Sequence, residues 1–314
     1  MTGILFIVGS SRSGSTLLER LLNELPGVLS VGELMRVWQR GFVENQLCSC
    51  GQPFHDCAFW GEVRGRLATS DSLDAAAIEP AAVDRLSRRV LKTGLRRAVA
   101  PADDRAVFLT IWRHLFTAIA QISGARWLVD SSKDPIYAAH LARLPGFDTR
   151  YLHLVRDPRA VAFSKMRRRL RPEIHWSRAY MATRSAWSSA GSWNDTQGLV
   201  ELVHRQIDRP WMRLRYEDLA ASPHSVLRTL VDTLNLQRDP ADPLGFLDGA
   251  LAQVQVGHSV SGNPMRFNHG QLRIAPDEEW RHAMPARSRF EVALRCWRGL
   301  RRYGYTGSGA QPTG

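Results

Sequence analysis

Lysine is nearly missing from this 314-residue chain: of 42 basic residues, only Lys92, Lys133 and Lys165 are lysine. Arginine is the default cation here, so a single arginine says little and a lysine inside a motif says more. Long apolar runs are missing too. No stretch approaches the ~18 uninterrupted apolar residues of a spanning helix, and Met1 to Val8 lacks both the basic start and the long apolar run of a secretory signal. Cysteine is scarce, with four residues, three of them crowded into Cys48, Cys50 and Cys57. So few in a chain this long exclude a secreted disulfide framework and favour a reducing compartment. These absences together read as a soluble, cytoplasmic protein without an integral membrane segment. No internal repeat is visible.

What remains is enough for a sizeable core, since 44% of the residues are hydrophobic. The formal charge of +12 implies an anionic partner: nucleic acid, a membrane surface, or a multiply charged nucleotide with an acidic acceptor. Charge alone does not choose among them.

The apolar run Ile4 to Val8 is of strand type and stops at Gly9; Ser15 to Leu25 then carries apolar residues at helical spacing and ends before Pro26-Gly27. Further strands are predicted at Val28 to Val31, Trp127 to Val129, Tyr151 to Val155 and Met212 to Tyr216. Glu33 onward reads as helical, Leu47 to Phe59 as a cysteine-bearing loop, and Ser222 to Leu234 as a helix. Residues 74 to 122 have helical periodicity and are expected to form an insertion, within about 60–125, over one end of the sheet. Strands alternating with helices predict an α/β fold with a central parallel sheet flanked by helices. The expectation is a single domain over 1–306 and a disordered tail over 307–314.

Gly9-Ser-Ser-Arg-Ser-Gly-Ser-Thr16 lies between the first strand and the first helix, where backbone N–H groups and the helix dipole converge on one point suited to phosphate. The spacing is G-x-x-x-x-G, but the lysine of a nucleotide triphosphatase loop is absent and Arg12 stands mid-loop. Such a loop can hold a phosphosulfate without metal. Further on, Val155-Arg156-Asp-Pro-Arg159-Ala-Val-Ala-Phe-Ser164 puts an arginine at a strand end and a serine two turns into the next helix. An Asp-capped, Pro-started helix accounts for Asp157 and Pro158 and leaves Arg156 and Ser164 unexplained; Arg159 reads as a solvated or supporting residue.

These two segments resemble sulfotransferases that use 3'-phosphoadenosine 5'-phosphosulfate (PAPS), in the form found in carbohydrate, tyrosylprotein and bacterial branches. The resemblance implies a P-loop-like sulfotransferase fold and sulfation of a hydroxyl. It implies that Ser11, Arg12, Ser13, Gly14, Ser15 and Thr16 hold the 5'-phosphosulfate, and that Arg156 and Ser164 hold the 3'-phosphate. Ser261-Gly-Asn-Pro-Met-Arg266 resembles the family's late nucleotide-closing loop, making Arg266 a further 3'-phosphate candidate, and Arg215-Tyr-Glu-Asp-Leu219 resembles a recurrent strand end of structural character. The histidine base of cytosolic members has no counterpart in Leu128-Val-Asp-Ser-Ser-Lys133. Glu33 matches instead the glutamate base of other branches, while Ser30 and Glu33 also fit a helix capping box. Lys133 is expected to stabilise charge on the bridging oxygen or the sulfuryl group, with Arg12 contributing; a surface lysine after a capped turn is the plain alternative.

Cys48, Cys50, His55 and Cys57 offer four zinc ligands, but Cys-x-Cys is shorter than the usual knuckle. A redox-sensitive or disulfide-bearing loop ranks ahead of zinc, and no metal is expected at the reaction. Two rival readings are a P-loop kinase or NTPase, with Asp130 as its metal-binding aspartate, and a non-enzymatic nucleic-acid binder. The second has no recognition motif, so the expected partner is a small-molecule or glycan acceptor, not nucleic acid. The acceptor stays open among carbohydrate, glycolipid, small natural product and peptidyl tyrosine, as does the oligomeric state. Trp176, Trp187 and Trp193 could stack on an acceptor, although their helical spacing also suits a core.

Overall fold

Strand β1 (Gly3–Gly9) explains the architecture from its own side chains. Ile4, Phe6 and Val8 enter one core and Leu5 and Ile7 another, all fully buried. A strand apolar on both faces belongs in the middle of a covered parallel sheet. In the computed structural model of the chain, residues 2–68, 79–93, 102–236 and 242–306 are described. The expected tail at 307–314 lies outside them, as do 69–78 and 94–101 of the expected insertion.

After β1 come α1 (Ser15–Asn23), β2 (Val28–Gly32), a 3-10 turn (Leu34–Arg36), a π-helical segment (Val37–Val43), α2 (Ala58–Ala68), α3 (Pro80–Thr93) and α4 (Ala102–Ser123). Then follow β3 (Trp127–Lys133), α5 (Pro135–Leu141), β4 (Asp148–Val155), α6 (Pro158–Met166), α7 (Ala186–His204), β5 (Trp211–Arg215), α8 (Tyr216–Ala221) and α9 (Pro223–Thr233). The described chain closes with β6 (Leu247–Asp248), β7 (Leu251–Val254), β8 (Gly270–Arg273), α10 (Trp280–Ala283), α11 (Ala286–Arg295) and α12 (Trp297–Arg302). The main sheet has the order β2-β3-β1-β4-β5 and is parallel throughout; β6, β7 and β8 form a small antiparallel sheet.

On one face Leu17, Leu18, Leu21 and Leu22 of α1 pack with α8, α9 and the small sheet. The other face carries α2 to α5, and a third cluster joins Val155 to α6, α7, α11 and α12. Helix α4 is long and apolar enough to cross a membrane by length and composition. In this fold its Phe108, Ile111, Trp112, Leu115, Phe116 and Ile119 are buried in the core. Because the strands run parallel, their carboxyl ends lie along one edge, where such sheets bind ligands.

Candidate active site

Each strand of the main sheet delivers a residue to the same cavity, of about 550 Å³. After β1 come Ser11, Arg12, Gly14, Ser15 and Thr16; after β2, Glu33; at the end of β3, Lys133; after β4, Arg156 and Ser164; after β5, Tyr216. Ser13 is buried beneath the loop, with its hydroxyl unpartnered.

The loop after β1 has the backbone that an anion site needs. Arg12 and Gly14 both have positive φ, 71° and 92°, and α1 then begins with no side chain capping its first amides. Those N–H groups stay available, at the positive end of the helix dipole. Glycine is required at position 14 because a Cβ there would stand 2.3 Å from the Tyr216 ring as well as at positive φ. The Arg12 guanidinium lies against Met181 Sδ. Burial, then the neighbouring charge of Arg169, lowers its pKa.

Arg156 joins the two segments directly. It donates to the Arg12 carbonyl at 3.1 Å and to Asp277 at 2.7 Å, with its guanidinium 4.3 Å over the Tyr216 ring. Trp193, fully buried, donates its indole N–H to the Arg156 carbonyl, so this tryptophan supports the site from the core, whereas Trp176 and Trp187 are exposed. Asp157 caps α6 and also binds Arg159, which reaches the Tyr305 carbonyl and lies outside the cavity.

Opposite this arginine, Lys133 donates to Glu33 Oε1 at 2.8 Å and to the Ser131 carbonyl at 2.6 Å. Lys133 has φ 69° and a side chain only 10% exposed, so it is no surface lysine. The residue that caps α5 is Asp134. Ser261 donates to Glu33 Oε2 at 3.1 Å. The capping box does not form: Ser30 is a strand residue whose amide binds Asn23, and Glu33 makes no side-chain cap. Burial alone would raise the Glu33 pKa, but the charge and hydrogen bond of Lys133, then Arg40 and Arg36, outweigh it and hold the carboxyl at about 2.

Arg266 is not brought into the cavity. Its guanidinium, buried, donates to the carbonyls of Ser259 at 2.7 Å and Leu47 at 2.8 Å, and so pins the loop that Ser261, Gly262 and Asn263 belong to. Sequence spacing located the loop and could not give the direction of that side chain. The amide of Asn263 does reach Thr16 Oγ1, at 3.3 Å.

Sequence reading missed Arg40, Arg169, Arg171 and Tyr180, which also line the cavity. The last three come from the irregular segment after α6, closed by the Leu170–Tyr180 bridge. Its signal was the run Arg167-Arg-Arg-Leu-Arg171, indistinct in an arginine-rich chain. With them the lining holds six cations, Arg12, Arg40, Lys133, Arg156, Arg169 and Arg171, against three carboxylates, Glu33, Glu173 and Asp277. The site is built for an anion. Asp130 is fully buried, accepts the Ser132 amide at 2.9 Å and is not among the residues that line the cavity.

The three cysteines of the loop converge with His258, not with His55. The ligand atoms of Cys48, Cys50, Cys57 and His258 lie within 4.8 Å of one another, while His55 is exposed, its Nε2 3.0 Å from the Phe42 carbonyl.

A family model described as the sulfotransferase family matches residues 5–240. The chain belongs to the sulfotransferase family. Among solved structures it is similar to the sulfotransferase STF1 from Mycobacterium tuberculosis H37Rv, with 12% identity, a TM-score of 0.37, and 76% of this chain and 69% of that one covered. That likeness is too distant to bear on individual residues. No curated protein matches the chain. As a member of the family this sulfotransferase is a transferase that moves a sulfuryl group, and its cationic cavity at the carboxyl edge of the sheet is suited to that reaction.

Proposed function

We propose that this sulfotransferase takes the sulfuryl group of PAPS and passes it to a hydroxyl of a carbohydrate, glycolipid or small natural product, with Glu33 accepting the hydroxyl proton. One observation carries the reading: the Arg12 loop and the Arg156–Ser164 pair line one cavity, with the Glu33–Lys133 pair beside them. A nucleotide carrying anionic groups at both its 5' and 3' ends needs two such donor clusters in one groove. The fit is supported by the uncapped amides of α1 and by the left-handed turn at Gly14 that presents them to the cavity.

When bound, PAPS supplies a sulfuryl group already activated by its phosphate leaving oxygen. What is asked of the chain is then positioning, charge stabilisation and a base. Arg12 and the first amides of α1 hold the 5' end, and Arg156 and Ser164 hold the 3'-phosphate. Glu33 with a pKa of about 2 is a poor base while it keeps Lys133. Lys133, drawn toward the anionic end of the nucleotide, would release the carboxylate and raise its affinity for a proton. The lysine thus couples occupancy of the donor site to basicity at the acceptor.

The test is calorimetric titration with adenosine 3',5'-bisphosphate without magnesium, set against ATP with magnesium, followed by an acceptor screen with radiolabelled PAPS. Tight bisphosphate binding and label transfer to a hydroxyl are expected. Binding of ATP with magnesium and none of the bisphosphate would overturn the reading in favour of a phosphotransferase.

A further inference from the structure

We propose that Cys48, Cys50, Cys57 and His258 bind one zinc ion as a structural clamp between the loop after β2 and the segment before Ser261. The four ligand atoms lie within 4.8 Å of one another, and three of their separations match the edges of a zinc tetrahedron. Zinc bonds of ~2.3 Å to sulfur and ~2.0 Å to nitrogen place neighbouring sulfurs about 3.8 Å apart and sulfur about 3.5 Å from nitrogen. Cys50 and Cys57 Sγ are 3.7 Å apart, and His258 Nδ1 is 3.4 Å from Cys57 Sγ and 3.9 Å from Cys48 Sγ. A disulfide would need ~2.05 Å; all four cysteines of the chain are free thiols in this structure, and a Cys50–Cys57 bond would leave Cys48 and His258 without a role.

The surroundings hold three of the four ligands in place, as metal sites require. The amides of Gln52 and Trp60 hydrogen-bond to the sulfurs of Cys50 and Cys57. Cys57 immediately precedes α2, whose dipole favours a thiolate there. The Phe59 ring stacks on the His258 imidazole at 5.1 Å and 15°, and Trp60 Nε1 donates to the His258 carbonyl at 2.9 Å. The Cys-x-Cys spacing that counted against zinc is accommodated by a turn through Gly51 at φ 87°, and the fourth ligand comes from about two hundred residues further on, beyond the reach of local spacing.

Four protein ligands leave no open position, and none of them lines the cavity, so the ion has no part in the reaction. Each thiol that enters as S–H gives its proton to solvent on binding. From His258 the chain continues through Ser259, whose amide donates to Ser49 Oγ at 2.7 Å, and Val260, paired with Gly32 of β2, to Ser261 on Glu33. The clamp therefore fixes the loop that touches both Glu33 and Thr16. The proposal is independent of the donor and acceptor assigned above.

The test starts with elemental analysis of the full chain purified without chelator. One zinc per chain is expected, and cobalt(II) taken up in its place should show the thiolate-to-cobalt charge-transfer and visible bands of tetrahedral coordination. Cys50→Ser and His258→Ala should lose the metal with a fall in thermal midpoint, His258→Cys should keep it, and His55→Ala should leave it unchanged. If the losing variants do not fold, the metal content and cobalt spectrum of the natural chain still decide. Folded chain that is metal-free and takes up neither ion, or that carries a Cys50–Cys57 disulfide by mass spectrometry, overturns the proposal.

Discussion

Glu33 sits between Lys133 and Ser261, and its basicity depends on how tightly the lysine is held. A placed base contributes roughly 10² to 10⁴ in rate. Glu33→Gln should therefore lower turnover by that order while adenosine 3',5'-bisphosphate binds almost as before; steady-state kinetics with calorimetry separates the two, and unchanged turnover removes Glu33 from the role. Glu19, on α1 below the cavity, is a different kind of carboxylate. Burial first, against the weaker opposing pull of its Ser131 hydrogen bond, raises its pKa from 4.5 to about 7. Between those values the folded chain keeps a proton that the unfolded chain has shed, so stability is full below the lower value and falls as pH rises through the upper one. Glu19→Gln has no such proton to lose. Relative to the natural chain it should gain about 3 kcal/mol at alkaline pH and little at about pH 5, measured by urea unfolding at both. An equal gain at both would mean that its burial is not what shifts the group.

Among the elements, the loop between β1 and α1 tolerates least change. Gly14→Ala meets both a left-handed backbone and the Tyr216 ring, and should destabilise the fold by roughly 2 to 4 kcal/mol. Its nucleotide affinity should fall as well, since Tyr216 also carries Arg156; a stable, tightly binding variant would show that the loop can move aside. All five main strands were legible, and the central β1 most plainly, because a strand apolar on both faces stands out as a short continuous run, Ile4 to Val8. That the loop after β1 and the Arg156 segment stand at strand ends before helices was legible, because local spacing sets each against a helix start. What was not legible is non-local. Arg169, Arg171 and Tyr180 arrive on an irregular segment with no period to read, and His258 joins three cysteines by tertiary pairing alone. The small sheet of β6 to β8 has strands too short for alternation to register.

At the scale of the whole molecule, the charge of +12 and the six cations of the cavity act together. Nucleotide association should be steered by the field and slow steeply with ionic strength, while dissociation, set by buried contacts such as Arg156, changes less. Stopped-flow rates at low and high salt check this; a salt-insensitive association rate would place the excess charge elsewhere. The cavity draws its walls from Ser11 at one extreme and Asp277 at the other, and the outer edge of β2 is met at Gly32 by Val260. A nascent chain leaving the ribosome would thus present both the Arg12 loop and the Arg156 segment long before it could enclose anything between them. Competence for catalysis would arrive late in translation, and a product truncated near residue 240 would carry the recognisable motifs of the family with neither the Ser261 loop nor Asp277 to complete the site.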